Sequence, residues 1–397
     1  MIMGQKRAVK QIIGKTFIEI ADAIKSGEFG EKIRIGLTIL GSEHGTENLV
    51  KGAEIAAKKG ENFDIVLIGP KVDTYLEIVE VESEKDMHKK MEELLDSGYI
   101  KACVTMHYSF PVGVSTVGRV ITPGYGKEMF IGTTTGTSSV NRTEAMVKNA
   151  LYGIITAKAM GIENPTVGIL NVDGARQVER ALKELRDNGY NINFAESMRS
   201  DGGAIMRGND LLAGTADVMV IDTLTGNIMM KVFSSFTTGG SYEGLGYGYG
   251  PGVGEDYDKI ILILSRASGI PVVSNALSYA AKVTKGKILE IAKEEFEKAK
   301  KAKLDEILKH LRKDYKKETE SEEGVVAPSK EVVTGSISGI DIMDLEAAVK
   351  VLWKTGIYAE SGMGCTGPIV LVNEERIDIA TEVLAKAGFI EKERDIC

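Results

Sequence analysis

Residues 33–68 read IRIGLTILGSEHGTENLVKGAEIAAKKGENFDIVLI. The segment opens and closes on short aliphatic runs, Ile33–Ile39 and Phe63–Ile68. Between them, GSEHGTENLVKGAEIAAKKG gives a polar loop and then a helix with an apolar period near 3.6. A buried strand, a loop, an amphipathic helix and a second buried strand form the repeating unit of a parallel sheet covered by crossover helices. The pattern recurs along the chain. Further strand candidates are Ala102–Thr105, Thr166–Asn171, Val218–Asp222, Lys259–Leu264 and Pro271–Val273, and Ala175–Asn188 reads as a helix closed by Gly189. The fold class is therefore α/β with parallel sheets.

At 397 residues the chain exceeds what one core usually organises, so two or three lobes are expected. The α/β region spans residues 1–285. A long charged helix is expected over 286–323, where opposite charges recur at helical spacing. A linker over 324–340 (GVVAPSKEVVTGSISG) leads to an extension, 341–397, that reads helix, loop ESGMGCTG, strand PIVLV and closing helix.

Bulk composition excludes several classes. Hydrophobic residues at 43% and charged residues at 27% are ordinary globular values, and a net charge of -8 argues against a nucleic-acid binder. The opening MIMGQKRAVKQIIGKTFIEIADAIKSG reads as an amphipathic helix, not a signal peptide, and no run reaches the ~20 apolar residues of a membrane span. Three scattered cysteines, Cys103, Cys365 and Cys397, make no disulfide framework, which implies a reducing cytoplasm. The four histidines are equally dispersed, so no structural metal is expected.

Candidate chemistry gathers after the strands. Gly239–Gly254, GGSYEGLGYGYGPGVG, is glycine at eight of sixteen positions and is expected to be a loop. It reads either as a cradle for phosphate or an acyl carrier through Gly240 and Ser241, or as a flexible hairpin or a loop that orders against another subunit. In DTLTGNIMMK the pair Gly226-Asn227 precedes a helical run, which would set a helix N-terminus, Asn227 and Lys231 around an anion. Arg266 in SRASG, with Ser42 and His44 in LGSEHGTE, follow other strands, so all these loops are expected on one edge of the sheet. No G-x-G-x-x-G follows the first strand, which disfavours a dehydrogenase.

The segments ILGSEHGTENLVKGAEIA, GILNVDGARQVERALKEL and VIDTLTGNIMMKVF resemble the phosphate acyltransferase family of phospholipid synthesis and its phosphotransacetylase relatives. That resemblance implies a two-domain isopropylmalate-dehydrogenase-like fold with its active site in the cleft. A narrower resemblance, through LTILGSEHGTE, GGSYEGLGYGYGPGVGEDYDKIILILSRASGIPVVSNAL and SGMGCTGPIVLVN, is to the component C alpha subunits of glycine, sarcosine or betaine reductase. It implies acetyl transfer to inorganic phosphate giving acetyl phosphate, with phosphate as substrate and no cofactor. It also implies a thiolase-like component C beta subunit and the carboxymethylated selenoprotein A as partners, in a hetero-oligomer or homo-oligomer. Cys365 in ESGMGCTGP is then the expected reactive residue, because small neighbours expose the sulfur and a thiol forms a thioester that phosphate can attack. Two other readings stay open: a non-catalytic assembly subunit, or another acyl or methyl transferase on the same fold.

Overall fold

The computed structural model describes residues 32–200, 202–312, 326–340, 344–364 and 367–390, with a few positions between 14 and 24. The opening amphipathic helix expected from the sequence lies largely outside the described residues. The chain divides into two compact units, Met1–Leu308 and Lys309–Cys397.

The first unit is built on one twelve-stranded sheet. Strands β1 (Ile33–Thr38), β2 (Phe63–Gly69), β3 (Glu77–Glu80), β4 (Ala102–Thr105) and β12 (Ile261–Ile263) are parallel, in the order β3-β2-β1-β4-β12. Strands β6 (Glu128–Thr137), β7 (Thr166–Leu170), β8 (Asn193–Phe194), β9 (Ile205–Met206) and β10 (Val218–Val220) form a second parallel block. Between the blocks lie β11 (Gly250–Val253) and β5 (Val114–Ile121). Strand β11 is antiparallel to both β12 and β5, and β5 is antiparallel to β6. Three reversals of direction separate β12 from β6, so the two blocks run in opposite senses. The single carboxyl edge expected from the sequence is therefore two edges, one per block.

Helices cover the sheet as the crossover rule requires. Helix α1 (Thr46–Lys58) follows β1, α2 (Glu84–Asp96) follows β3, α3 (Arg142–Ala159) follows β6, and α4 (Ala175–Asp187) follows β7. The short α5 (Gly208–Ala213) precedes β10, α6 (Thr223–Ser235) follows it, and α7 (Ile270–Lys285) follows β12. Nearly every residue of α3 is buried, as its all-round apolar sequence NALYGIITAKA demands. Residues 271–273, expected as a strand, are the first turn of α7. Proline early in a helix loses nothing, because its missing N–H has no partner there, and its φ is already helical.

The expected helix over 286–323 is interrupted. Helix α8 (Ile288–Lys301) ends at Ala302, Lys303 takes a left-handed φ of 67°, and a second segment, α9 (residues 304–312), follows. Helix α8 is tied to α3 by Glu295, which is buried yet bonded by Lys158 Nζ at 2.9 Å, Lys298 Nζ at 2.8 Å and Tyr190 Oη at 2.8 Å. Burial alone would raise this carboxyl, but those three donors outweigh it and hold it below its ordinary range. A depressed carboxyl stabilises the fold above its unfolded pKa and loses that contribution as pH falls through the folded value. Glu295→Gln is therefore expected to cost about 1–3 kcal/mol at neutral pH. The gap to wild type should narrow as acid protonates Glu295, and a gap constant from neutral to acid pH would refute the assignment.

The second unit has its own core. Strands β13 (Gly335–Ile337), β14 (Ala359–Gly364) and β15 (Gly367–Val372) form an antiparallel sheet in the order β13-β15-β14. Helices α10 (Leu345–Lys354) and α11 (Ile377–Lys386) bury Leu345, Val349, Leu352, Ala380 and Leu384 against Ile337, Val370 and Val372. The stretch 324–340, expected as a linker, thus contributes β13 and the buried Ile340. Most of the expected loop ESGMGCTG is β14, paired from Ala359↔Val372 to Gly364↔Gly367. Cys365 and Cys397 lie outside the described residues.

Candidate active site

A cleft of about 280 Å³ opens in the first unit, lined by residues from six parts of the fold, one of them Thr135 of β6. The carboxyl end of β4 supplies Met106, His107 and Tyr108, and that of β12 supplies Leu264, Ser265 and Arg266. Glu43 comes from the loop after β1, and Tyr249 from just before β11. Asn227 and Lys231 come from the middle of α6.

The helix N-terminus expected at Gly226-Asn227 is not there. Helix α6 starts at Thr223, and Asp222 caps it by accepting from the Thr225 N–H at 3.1 Å. Asp222 is also held by the Thr225 hydroxyl at 2.6 Å and Arg142 Nη2 at 3.1 Å. Burial would raise the Asp222 carboxyl, but these partners outweigh it and keep it low, so the positive end of the helix already holds an anion. Asn227 and Lys231 reach the cleft for another reason. A helix that returns over the sheet runs opposite to its strand, and the second block runs opposite to the first. The body of α6 is thereby carried back toward the carboxyl ends of β4 and β12.

Lys231 and Arg266 are the two permanent cations of the lining. Each has a loose acidic neighbour: Lys231 Nζ lies 4.0 Å from Glu243 Oε1, and Arg266 Nη2 lies 3.8 Å from Glu84 Oε1. Both side chains are more than half exposed, free to turn to a ligand. Asn227 spends one N–H on the Thr134 carbonyl at 3.0 Å, which fixes its side chain beside Thr135.

Ser42 and His44 support the cleft without lining it. The Ser42 hydroxyl lies 3.5 Å from the Arg266 carbonyl, the Glu43 N–H donates to that same carbonyl at 2.9 Å, and His44 Nε2 sits 3.2 Å from the Ala267 carbonyl. These bonds staple the loop after β1 to the SRAS loop. Glu43, between them, faces the cleft. Gly240 and Ser241 do not line it either: their N–H groups donate to the Ser235 and Thr238 carbonyls. The N–H groups of Glu243, Gly244, Leu245, Tyr247 and Tyr249 are likewise bonded to backbone carbonyls. The glycine-rich segment therefore does not form an amide cradle. It threads past the cleft and becomes β11.

What the segment does carry is Glu243, which sequence reading passed over. It is 3% exposed, and its carboxylate takes the Tyr249 hydroxyl at 3.3 Å and the Ser268 hydroxyl at 3.2 Å. Desolvation raises this carboxyl, against the polar neighbours and Lys231 that pull it down. Tyr249 is pushed far up by its burial and by Glu243. Cys103, in β4, is buried completely and its thiol is pushed far above the ordinary range, which leaves it inert. Among the described residues no group of three or more His, Cys, Asp or Glu could hold a metal ion, and no helix is long and apolar enough to cross a membrane.

A family model described as "Fatty acid synthesis protein" matches residues 33–371. The component C alpha subunit of the glycine/sarcosine/betaine reductase complex from Peptoclostridium acidaminophilum is 70% identical over 382 residues, covering 96% of this chain and 99% of that one. The chain belongs to the component C alpha subunit family. A phosphate acyltransferase from Thermotoga petrophila is 27% identical over 236 residues, covering 51% of this chain and 67% of that one. This component C alpha family is thus distantly related to the phosphate acyltransferases. Among solved structures, a branched-chain phosphotransacylase from Enterococcus faecalis V583 aligns with TM-score 0.45 and 17% identity, covering 63% of this chain and 99% of that one.

Proposed function

We propose that this chain transfers an acetyl group to inorganic phosphate, giving acetyl phosphate, as the alpha subunit of a glycine, sarcosine or betaine reductase component C. The observation that carries this reading is the convergence of Lys231 and Arg266 on one cleft at the ends of β4 and β12. Phosphate attacks the carbonyl carbon of an acyl thioester. The oxyanion that develops, and the phosphate itself, are stabilised by the two cations of the cleft wall. The carbon–sulfur bond then breaks, the thiol leaves, and acetyl phosphate remains. The reading requires no cofactor. Its partners are the thiolase-like component C beta subunit and selenoprotein A bearing the carboxymethyl group, and its compartment is the cytoplasm.

Within this proposal Cys365 is the acyl acceptor, on the sequence argument alone. The decisive experiment incubates the purified chain, with and without the beta subunit, with acetyl phosphate and arsenate, and follows acetyl loss. Cys365→Ala is expected to abolish that loss, while Cys103→Ala, in an inert buried thiol, should retain most of it. Full activity in Cys365→Ala would remove the cysteine from the mechanism. Absence of any arsenolysis, even with the partner present, would favour the reading as an assembly subunit.

A further inference from the structure

The group beneath the cleft decides which way its hydroxyls point. Glu243 is buried, and an ionised carboxylate can only accept hydrogen bonds. Tyr249 gives its hydrogen to Glu243 Oε1 at 3.3 Å, and Ser268 gives one to Oε2 at 3.2 Å. Tyr249 lines the cleft, and its one hydrogen is committed to this network. What it can offer a ligand is lone pairs. Glu43, exposed at the mouth, adds another acceptor. The lining thus pairs two cations, Lys231 and Arg266, with acceptor oxygens of Tyr249 and Glu43 that repel any oxyanion face lacking a hydrogen.

Phosphate and sulfate share size, shape and, in mildly alkaline solution, charge. They differ in one proton: monohydrogen phosphate keeps a P–OH that can donate, and sulfate has none. We infer that Glu243, by committing the Tyr249 hydroxyl as an acceptor, makes the cleft selective for a protonated oxyanion, so that it takes phosphate and rejects sulfate. The inference rests on the proposed function and narrows it to the protonation state of the bound anion. Glu243 acts through its neighbours and is a positioning residue.

The test is calorimetric titration of the full chain at about pH 8, where phosphate still carries one proton. The probes are inorganic phosphate, arsenate and sulfate. Wild type is expected to bind phosphate at least about tenfold more tightly than sulfate, the cost of one unpaired polar contact, with arsenate following phosphate. In Glu243→Gln the amide donates to one hydroxyl, which then turns its own hydrogen to the cleft, and the ratio should fall toward unity. Tyr249→Phe removes one acceptor and should lower the ratio independently. Lys231→Ala should weaken both anions alike and preserve it. Equal binding of phosphate and sulfate by wild type, or an undiminished ratio in both Glu243→Gln and Tyr249→Phe, overturns the inference while leaving the anion site standing. Failure of wild type to bind either anion overturns the site and the inference together.

Discussion

Lys231→Ala is expected to lower kcat/KM for phosphate, measured with arsenate as the acceptor, by about a hundredfold. That is the usual cost of removing one preorganised group from a developing anion. Lys231 stands two turns into α6, its Nζ 4.0 Å from the buried Glu243 and 5.8 Å from the Tyr249 ring centroid. Those two contacts aim the ammonium at the cleft without neutralising it, because 4.0 Å exceeds a hydrogen bond. Removing it leaves Arg266 as the single permanent cation of the lining. The loss should therefore appear both in the apparent KM for the anion and in kcat. Lys231→Arg restores the charge with a different shape and should recover part of it. Lys51→Ala, on the exposed outer face of α1, controls for net charge. An unchanged arsenate requirement in Lys231→Ala would detach the cleft from the reaction.

The second large effect is structural. Gly250→Ala is expected to destabilise the first unit by about 3 kcal/mol or more. Gly250 starts β11 with φ at 82°, and an added Cβ would sit 1.8 Å from the Val117 carbonyl oxygen on β5. That overlap is with backbone, which no rotamer relieves. The conformation itself is one that an L side chain rarely adopts. Urea unfolding followed by circular dichroism reads the loss. Trp353, the single tryptophan, belongs to the second unit and packs its Nε1 on the Ala359 carbonyl, so its fluorescence is the internal control. A circular-dichroism midpoint equal to wild type would show that β11 tolerates the shift.

The parts of this protein that were legible in sequence are those where one force dominates. Strands β1, β2 and β4 are short, largely apolar runs, and their ends match the expected ones to within about a residue. Strands β5 and β6 went unread because VSTVGRVI and EMFIGTTTGT are rich in glycine and threonine, small residues demanded by close packing. At Gly132 a Cβ would meet the Asn149 carbonyl at 2.6 Å, and at Gly118 it would meet Met230 Sδ at 2.6 Å. In the second unit, strand β13 was hidden by a polar, glycine-bearing stretch whose buried positions alternate at Gly335 and Ile337.

The candidate site was half legible for a similar reason. Asn227, Lys231 and Arg266 were named from charge and amide chemistry, and the cleft gathers all three. The route was misread: Asp222 caps the first turn of α6, and the Gly240 and Ser241 amides of the glycine-rich segment are bonded to backbone carbonyls. Glu243 was passed over because an acidic residue beside an expected anion looks out of place. Its meaning depends on Tyr249 and Ser268, which sequence spacing does not bring together. The one available signal was a lone acid among glycines, GGSYEGLG, where a solvated charge has no helix or strand to decorate.

The order of the strands also sets the order in which the chain can be completed during synthesis. Strand β4 takes β1 on one side and β12 on the other, and residues 106–260 intervene between β4 and β12. The second block and the two antiparallel strands beside it, β5 through β11, are continuous in sequence and leave the ribosome before the first block has its last strand. Until Ile261–Ile263 emerges, β4 ends in an unpaired edge, a template for wrong pairings. Closing so long a loop is also slow to find by diffusion. The segment that delivers β12 to that edge is the same one that carries Glu243 and Tyr249. Completion of the sheet and assembly of the cleft are therefore a single late event in the life of the nascent chain.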